Sequence, residues 1–147
     1  MNCTLYKKIS RKLLDVISAF RNYDGKARYF QTDYKLSFSD IHLIEFIGNN
    51  NTTYVSQIAN ENKITKGAVS QSVKKLEEKG YLYKTIDVDN KSREFIRLTD
   101  KGNIAYKDHK NYHKKIDSEV SSILKDFSIE EQRGILLFLK RIEKKWD

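Results

Sequence analysis

The chain has 147 residues, with 28 Lys+Arg against 20 Asp+Glu, for a formal net charge of +8. That length predicts one domain able to bury a real core without disulfide staples. Its 39% hydrophobic and 33% charged residues exclude a disordered or membrane-embedded chain. Cys3 is the single cysteine, so an internal disulfide framework and a Cys-rich zinc module are excluded too. No run approaches the roughly 18–20 apolar residues of a bilayer span. No apolar stretch follows Lys7 and Lys8 as a secretory signal would require, so the expected location is cytoplasmic, with no membrane partner. The charge favours a polyanionic partner, with nucleic acid ahead of an acidic protein or a membrane surface.

There is no proline, which suits a chain built mostly of helices. Leu5, Ile9, Leu13, Val16, Ile17 and Phe20 recur at helical spacing and predict an amphipathic first helix. Residues 22–37 lose the period and are polar and aromatic. A short apolar helix is predicted from Ser39, stopping at Gly48-Asn49-Asn50-Asn51. Thr52-Thr53 is expected to open the next helix, with Val55, Ile58 and Ala59 apolar. After a polar break at 60–63, Thr65 is expected to cap a helix over 66–79 that ends at Gly80. The period then changes to two. Leu82, Lys84, Ile86 and Val88 alternate with Tyr83, Thr85 and Asp87, and a polar turn over 89–92 leads into residues 93–98, which together predict a β-hairpin. Thr99-Asp100-Lys101-Gly102 starts a long helix. Ser128-Ile129-Glu130-Glu131 has capping-box spacing before a last helix carrying Ile135, Leu136, Phe138, Leu139, Ile142 and Trp146. That apolar face is broad for one solvated helix. With the first helix it reads as a partner-binding surface.

Helix, break, helix, hairpin is the order of a winged helix-turn-helix. On helix 66–79, Val69, Val73 and Leu76 hold one face to the core. Lys66, Ser70 and Lys74 line another at i, i+4 spacing, with Gly67, Gln71 and Lys75 beside them. Ser70 and Gln71 can hydrogen-bond base edges, and Lys66, Lys74 and Lys75 can reach phosphates. An ordinary solvated helix face would show the same residues.

Residues 36–102 resemble the MarR family of bacterial transcription regulators. The stretches that carry the resemblance are Val55-Ser56-Gln57-Ile58-Ala59, Thr65-Lys66-Gly67-Ala68-Val69-Ser70, Lys75-Leu76-Glu77-Glu78-Lys79-Gly80-Tyr81-Leu82 and Ile96-Arg97-Leu98-Thr99-Asp100-Lys101-Gly102. The resemblance implies a mainly α fold with a small β-hairpin wing, a single MarR-like domain over 1–147. Its winged helix-turn-helix lobe would occupy 36–102, flanked by dimerisation helices over 1–24 and 103–147. It further implies a homodimer on double-stranded DNA with an inverted-repeat operator. Helix 66–79 of each protomer would lie in the major groove and the hairpin near the minor groove. The DNA-contacting residues would then be Thr65, Lys66, Gly67, Ser70, Gln71, Lys74 and Lys75 on the helix side, and Asn90, Lys91, Ser92 and Arg93 on the wing. At the wing tip, Ser92 falls where the family carries Arg, and Arg93 follows one residue later. Either the hairpin is one residue shorter, or Arg93 reaches the minor groove from a shifted register.

His109 and His113 are at i, i+4 on the long helix, a spacing that suits one metal ion or one polar pocket wall. Asp24, His42, His109 and His113 fall where the zinc-responsive branch of the family has a Glu and three His ligands. Phe30 and Ile41 replace liganding types at that branch's second site. The run His109-Lys110-Asn111-Tyr112-His113-Lys114 also resembles the branch that represses fatty-acid synthesis genes and responds to acyl-loaded carrier protein. The histidines therefore admit three readings: a metal site, an organic or acyl effector site, or hydrogen bonding alone. No cofactor is required, and the candidate effectors are zinc, a small molecule or an acyl carrier. No nucleophile–base pair, phosphate loop or cofactor fingerprint points to an enzyme. The expected function is a sequence-specific DNA-binding transcriptional regulator, a dimeric repressor modulated by an effector. The alternative is a non-specific or architectural nucleic-acid-binding protein.

Overall fold

The structure, a computed structural model, describes residues 3–50, 53–91 and 93–146. Its elements are α1 (Cys3–Asp24), α2 (Phe38–Asn49), α3 (Val55–Glu61), α4 (Lys66–Glu78), β1 (Leu82–Ile86), β2 (Glu94–Leu98), α5 (Asp100–Leu124) and α6 (Ile129–Trp146). Residues up to His109 form one unit and those from Lys110 another, the division falling inside α5. On the opening turns of α5, Ala105 and His109 are buried.

The core of the first unit is where α2, α3, α4 and the hairpin meet. Ile44, Ile58, Val73, Leu76, Tyr81 and Ile96 are among its fully enclosed members. Each helix is set by its caps. Ser37 accepts from the amide of Asp40, whose carboxylate accepts from the Ser37 amide, so α2 starts with a full capping box. Thr65 Oγ1 accepts from the Ala68 amide at 3.2 Å and starts α4. At the other end of α4, the Tyr81 amide reaches Leu76 O and the Gly80 amide reaches Glu77 O, both at 2.9 Å. Gly80 has φ +76°. This is a Schellman stop, and it needs a residue that tolerates positive φ.

The strand region follows the alternation in sequence. β1 and β2 pair antiparallel with Leu82 opposite Leu98 and Ile86 opposite Glu94. The start of α3 differs from expectation. Thr53 does not cap the helix; its backbone bridges Ile96 on the outer edge of β2, with the Ile96 amide donating to Thr53 O at 2.7 Å. Tyr54 takes the cap position without a side-chain cap bond. Thr52 lies outside the described residues.

The aperiodic stretch after α1 is folded rather than loose. Arg28 and Leu36 form a bridge, and Phe30 and Gln31 both take positive φ, 45° and 55°. Such a pair costs about 1 kcal/mol or more per residue. Burial of the Phe30 ring and a 2.6 Å bond from Gln31 Nε2 to Asp108 Oδ1 offset that cost.

In the second unit, the Ser128 capping box forms as its spacing predicts, with the Glu131 amide donating to Ser128 Oγ and the Ser128 amide to Glu131 Oε2. No described residue of α6 is buried. In α1, Leu5, Ile9, Val16 and Phe20 are all about half exposed. Among the described residues, no helix is long and apolar enough to cross a membrane.

Candidate nucleic-acid interface

α4 divides along its length as its sequence requires. Val69, Val73 and Leu76 are buried, whereas Lys66, Gly67, Ser70, Gln71 and Lys74 are exposed. Lys66, Ser70 and Lys74 sit one turn apart, with Gln71 beside them. The exposed face therefore offers two ammonium groups, a hydroxyl and an amide in one line. At Gly67, an added Cβ would meet only Thr65 Oγ1 at 4.0 Å, so the start of this face is low and open. Lys74 Nζ is 4.0 Å from Glu78 Oε1 with both side chains largely in solvent, a contact worth little. Thr65 differs in role, since its hydroxyl accepts from its own helix.

Lys75 also departs from its expected place. Its Nζ donates to both carboxylate oxygens of Asp40, at 2.9 and 2.8 Å. Asp40 is nearly enclosed. Burial disfavours its charge, but the Lys75 ammonium and the Ser37 hydroxyl and amide outweigh burial and hold its carboxyl below the ordinary range. The structure therefore gives Lys75 a partner on α2. Sequence reasoning missed Asp40 altogether, both as the capping-box acid of α2 and as the partner of Lys75.

On the wing, Asn90 and Lys91 occupy the turn and Ser92 lies outside the described residues. The Arg93 guanidinium lies over the Tyr54 ring, 4.9 Å from its centroid, and Nη1 is 3.8 Å from Asp87 Oδ2. Tyr54 was not foreseen. It is far from the hairpin in sequence and reaches it only through the Thr53 bridge.

The histidine group is built on α2 and the first turns of α5. His109 is buried, with Nε2 3.3 Å from Glu45 Oε2. The His42 and His109 rings are 5.0 Å apart, edge to face, and Phe30 packs edge-on against His109 at 5.5 Å. One ligand atom from each of His42, Glu45 and His109 lies within 4.8 Å of the others. His42 Nδ1 donates to Phe38 O at 2.8 Å, which leaves Nε2 as its lone-pair nitrogen. Two imidazoles and a carboxylate suit zinc by donor type. His113 follows His109 by one turn along α5. The carboxylate differs from the one expected. Asp24 is 3.8 Å from Arg28 and is not in this group; Glu45 is. Glu45 follows His42 by three residues on one helix, and that i, i+3 spacing was the available signal. Phe30, at the expected second site, is a buried apolar residue.

Residues 34–93 match the sequence profile of the MarR family. The uncharacterized HTH-type transcriptional regulator YhjH of Bacillus subtilis is 32% identical over 108 residues, covering 74% of this chain. The chain spans only 59% of that relative's length. The crystal structure of a zinc-responsive MarR family member, ZitR of Lactococcus lactis, superposes with a TM-score of 0.77 at 22% identity, covering 97% of this chain and 99% of ZitR. Streptococcus pneumoniae FabT, solved in complex with DNA, superposes with a TM-score of 0.75 at 25% identity, covering 96% of each chain. With the motif order, the capped helix pair and the hairpin all in place, the chain has the winged helix-turn-helix fold, and its residues 34–93 carry the sequence pattern of the MarR family.

Proposed function

We propose that the chain is a sequence-specific DNA-binding transcriptional regulator that works as a homodimer on an inverted-repeat operator and represses by occluding a promoter. The observation that carries this reading is α4: one face locked to the core, the other exposed and bearing Lys66, Ser70, Gln71 and Lys74. Such a face fits a major groove, with lysines at phosphates and Gln71 and Ser70 at base edges. The half-exposed apolar stripes of α1 and α6 supply area for a second copy of the chain.

The test is enrichment of a duplex from a random library by the purified protein, followed by affinity measurements on the enriched and a scrambled duplex. A specific regulator should prefer the enriched duplex by 10³-fold or more. A ratio near one supports an architectural binder instead. On the same two duplexes, Lys74→Ala should weaken both alike. Gln71→Ala should reduce the preference by about 1–3 kcal/mol at one base position. Equal loss on both duplexes from Gln71→Ala would remove its base-reading role.

The effector reading favoured by His42, Glu45 and His109 is zinc. Those three residues would hold it. Zinc would supply a structural tie between α2 and α5 rather than hydrolytic chemistry. Titration of zinc into the chelator-treated protein should show stoichiometric uptake that Glu45→Gln and His109→Gln diminish. A gel shift with and without the metal then reads the sign of the response. Unchanged uptake in both variants would remove the zinc reading.

A further inference from the structure

Arg93 is the residue the family pattern would send into the minor groove, yet it is not held at the tip of the hairpin. The Asp87 amide donates to Arg93 O at 2.9 Å, and the Arg93 amide to Asn90 O at 2.8 Å. The tip therefore lies between Asp87 and Arg93, with Val88 almost wholly exposed. The guanidinium is drawn the other way, across the edge of β2, onto the ring of Tyr54 and beside the buried carboxylate of Asp87. Its side chain stays 45% exposed.

That exposed part opens on a cleft of about 580 Å³ between the wing, the first turn of α3 and the first residue of α4, with Ser56, Lys66 and Asn90 also on its walls. Glu94 lines the cleft as well, but its carboxylate is 3.5 Å from Lys84 Nζ and is thereby partly neutralised. The cleft thus combines a guanidinium fork with two restraints, an ammonium and a hydroxyl. This donor set recognises a tetrahedral oxyanion. A base edge in a groove about 6 Å wide would instead need an arginine extended from the tip.

The geometry points to a phosphodiester seat: Arg93, oriented by Tyr54 and Asp87, grips with Lys66 a backbone phosphate of the duplex and does not enter the minor groove. This rests on the DNA-binding reading above and deepens it. It also fits the one-residue shift of the arginine, because a residue just before β2, beside the turn, faces α3 and the start of α4 across the cleft.

The experiment uses the full-length protein on three duplexes: the library-enriched one, the same with its flanking A·T pairs exchanged for G·C, and a random one. Affinity is measured over a series of salt concentrations. Arg93→Gln should weaken all three by the same factor and reduce the log–log salt slope by about 0.9 per protomer. Arg93→Lys, which keeps the charge, should retain the slope. A loss confined to the A·T-flanked duplex, or an unchanged slope in Arg93→Gln, overturns the seat. Inorganic phosphate, at constant ionic strength, should compete with DNA for wild type more strongly than for Arg93→Gln, as a seat for a tetrahedral oxyanion requires, and equal competition in both would overturn it too. Should the wild type enrich no sequence while the slope on random duplex still falls in Arg93→Gln, the specific-regulator reading fails and the seat stands.

Discussion

Gly102→Ala should lower the melting temperature of the purified protein by roughly 10 °C, as expected for about 3 kcal/mol of overpacking in a chain this size. An added Cβ at Gly102 would press into the carbonyl oxygen of Tyr81, far inside van der Waals contact, and would come within 3.3 Å of Leu98 Cβ. Neither neighbour can yield cheaply. The Tyr81 carbonyl already accepts from the Thr99 amide at 3.0 Å. Thr99 Oγ1 donates to Gly80 O at 2.6 Å and accepts from the Gly102 amide at 3.0 Å. The first turn of α5 is thus laid against the stop of α4, and backbone touches backbone. Gly67→Ala is the control: its Cβ would meet nothing closer than 4.0 Å. There the ordinary helix preference for Ala over Gly should raise stability by about 0.5–1 kcal/mol. Thermal melts of the two variants that moved by equal amounts would mean that helix propensity, not close approach, governs both sites.

The same region shows what the sequence made legible. Elements set by periodicity and caps read directly. α4 runs from its Thr65 cap to the Gly80 stop, the hairpin pairs Leu82 with Leu98, and α6 follows the Ser128 box. In each case neighbouring residues supply the whole signal. Positions fixed by distant partners did not read. Thr53 resembles a helix cap and serves as a strand edge, because its bridge to Ile96 depends on where β2 arrives. Phe30 and Gln31 are held at positive φ by contacts with α5, and no local propensity favours that conformation for Phe.

The candidate sites divide in the same way. The exposed line of Lys66, Ser70, Gln71 and Lys74 is a consequence of helical spacing once Val69, Val73 and Leu76 are assigned inward. The histidines were visible by type and spacing. The carboxylate beside them was not chosen correctly: resemblance pointed to Asp24, whereas Glu45 shares a helix face with His42. Tyr54 beneath Arg93 had no local signal at all. Lys75 looked like one more phosphate contact. Only the fold shows that an acid on α2 lies within reach of its ammonium.

That pairing gives the second large effect. Asp40→Ala should destabilise the protein by about 2 kcal/mol at neutral pH. Roughly 1 kcal/mol comes from the lost capping box of α2. Roughly 1 kcal/mol more comes from the ion pair with Lys75, discounted because the Lys75 side chain is 48% exposed. The pH dependence has a fixed sign. The carboxyl of Asp40 is held below its ordinary range, so its contribution is fully present above the unfolded carboxylate value near 3.9. It is lost as pH falls through the lower folded value. Urea unfolding of wild type and Asp40→Asn should therefore differ most at neutral pH and converge in acid. A double-mutant cycle with Lys75→Met should return a coupling of about 1 kcal/mol, and a coupling near zero would reduce the pair to a surface contact. DNA binding separates the two roles of Lys75. If its ammonium serves Asp40, Lys75→Met should leave the salt slope unchanged while weakening binding through a displaced α4. If it serves a phosphate, the slope should fall by about 0.9 per protomer, as for any neutralised backbone contact.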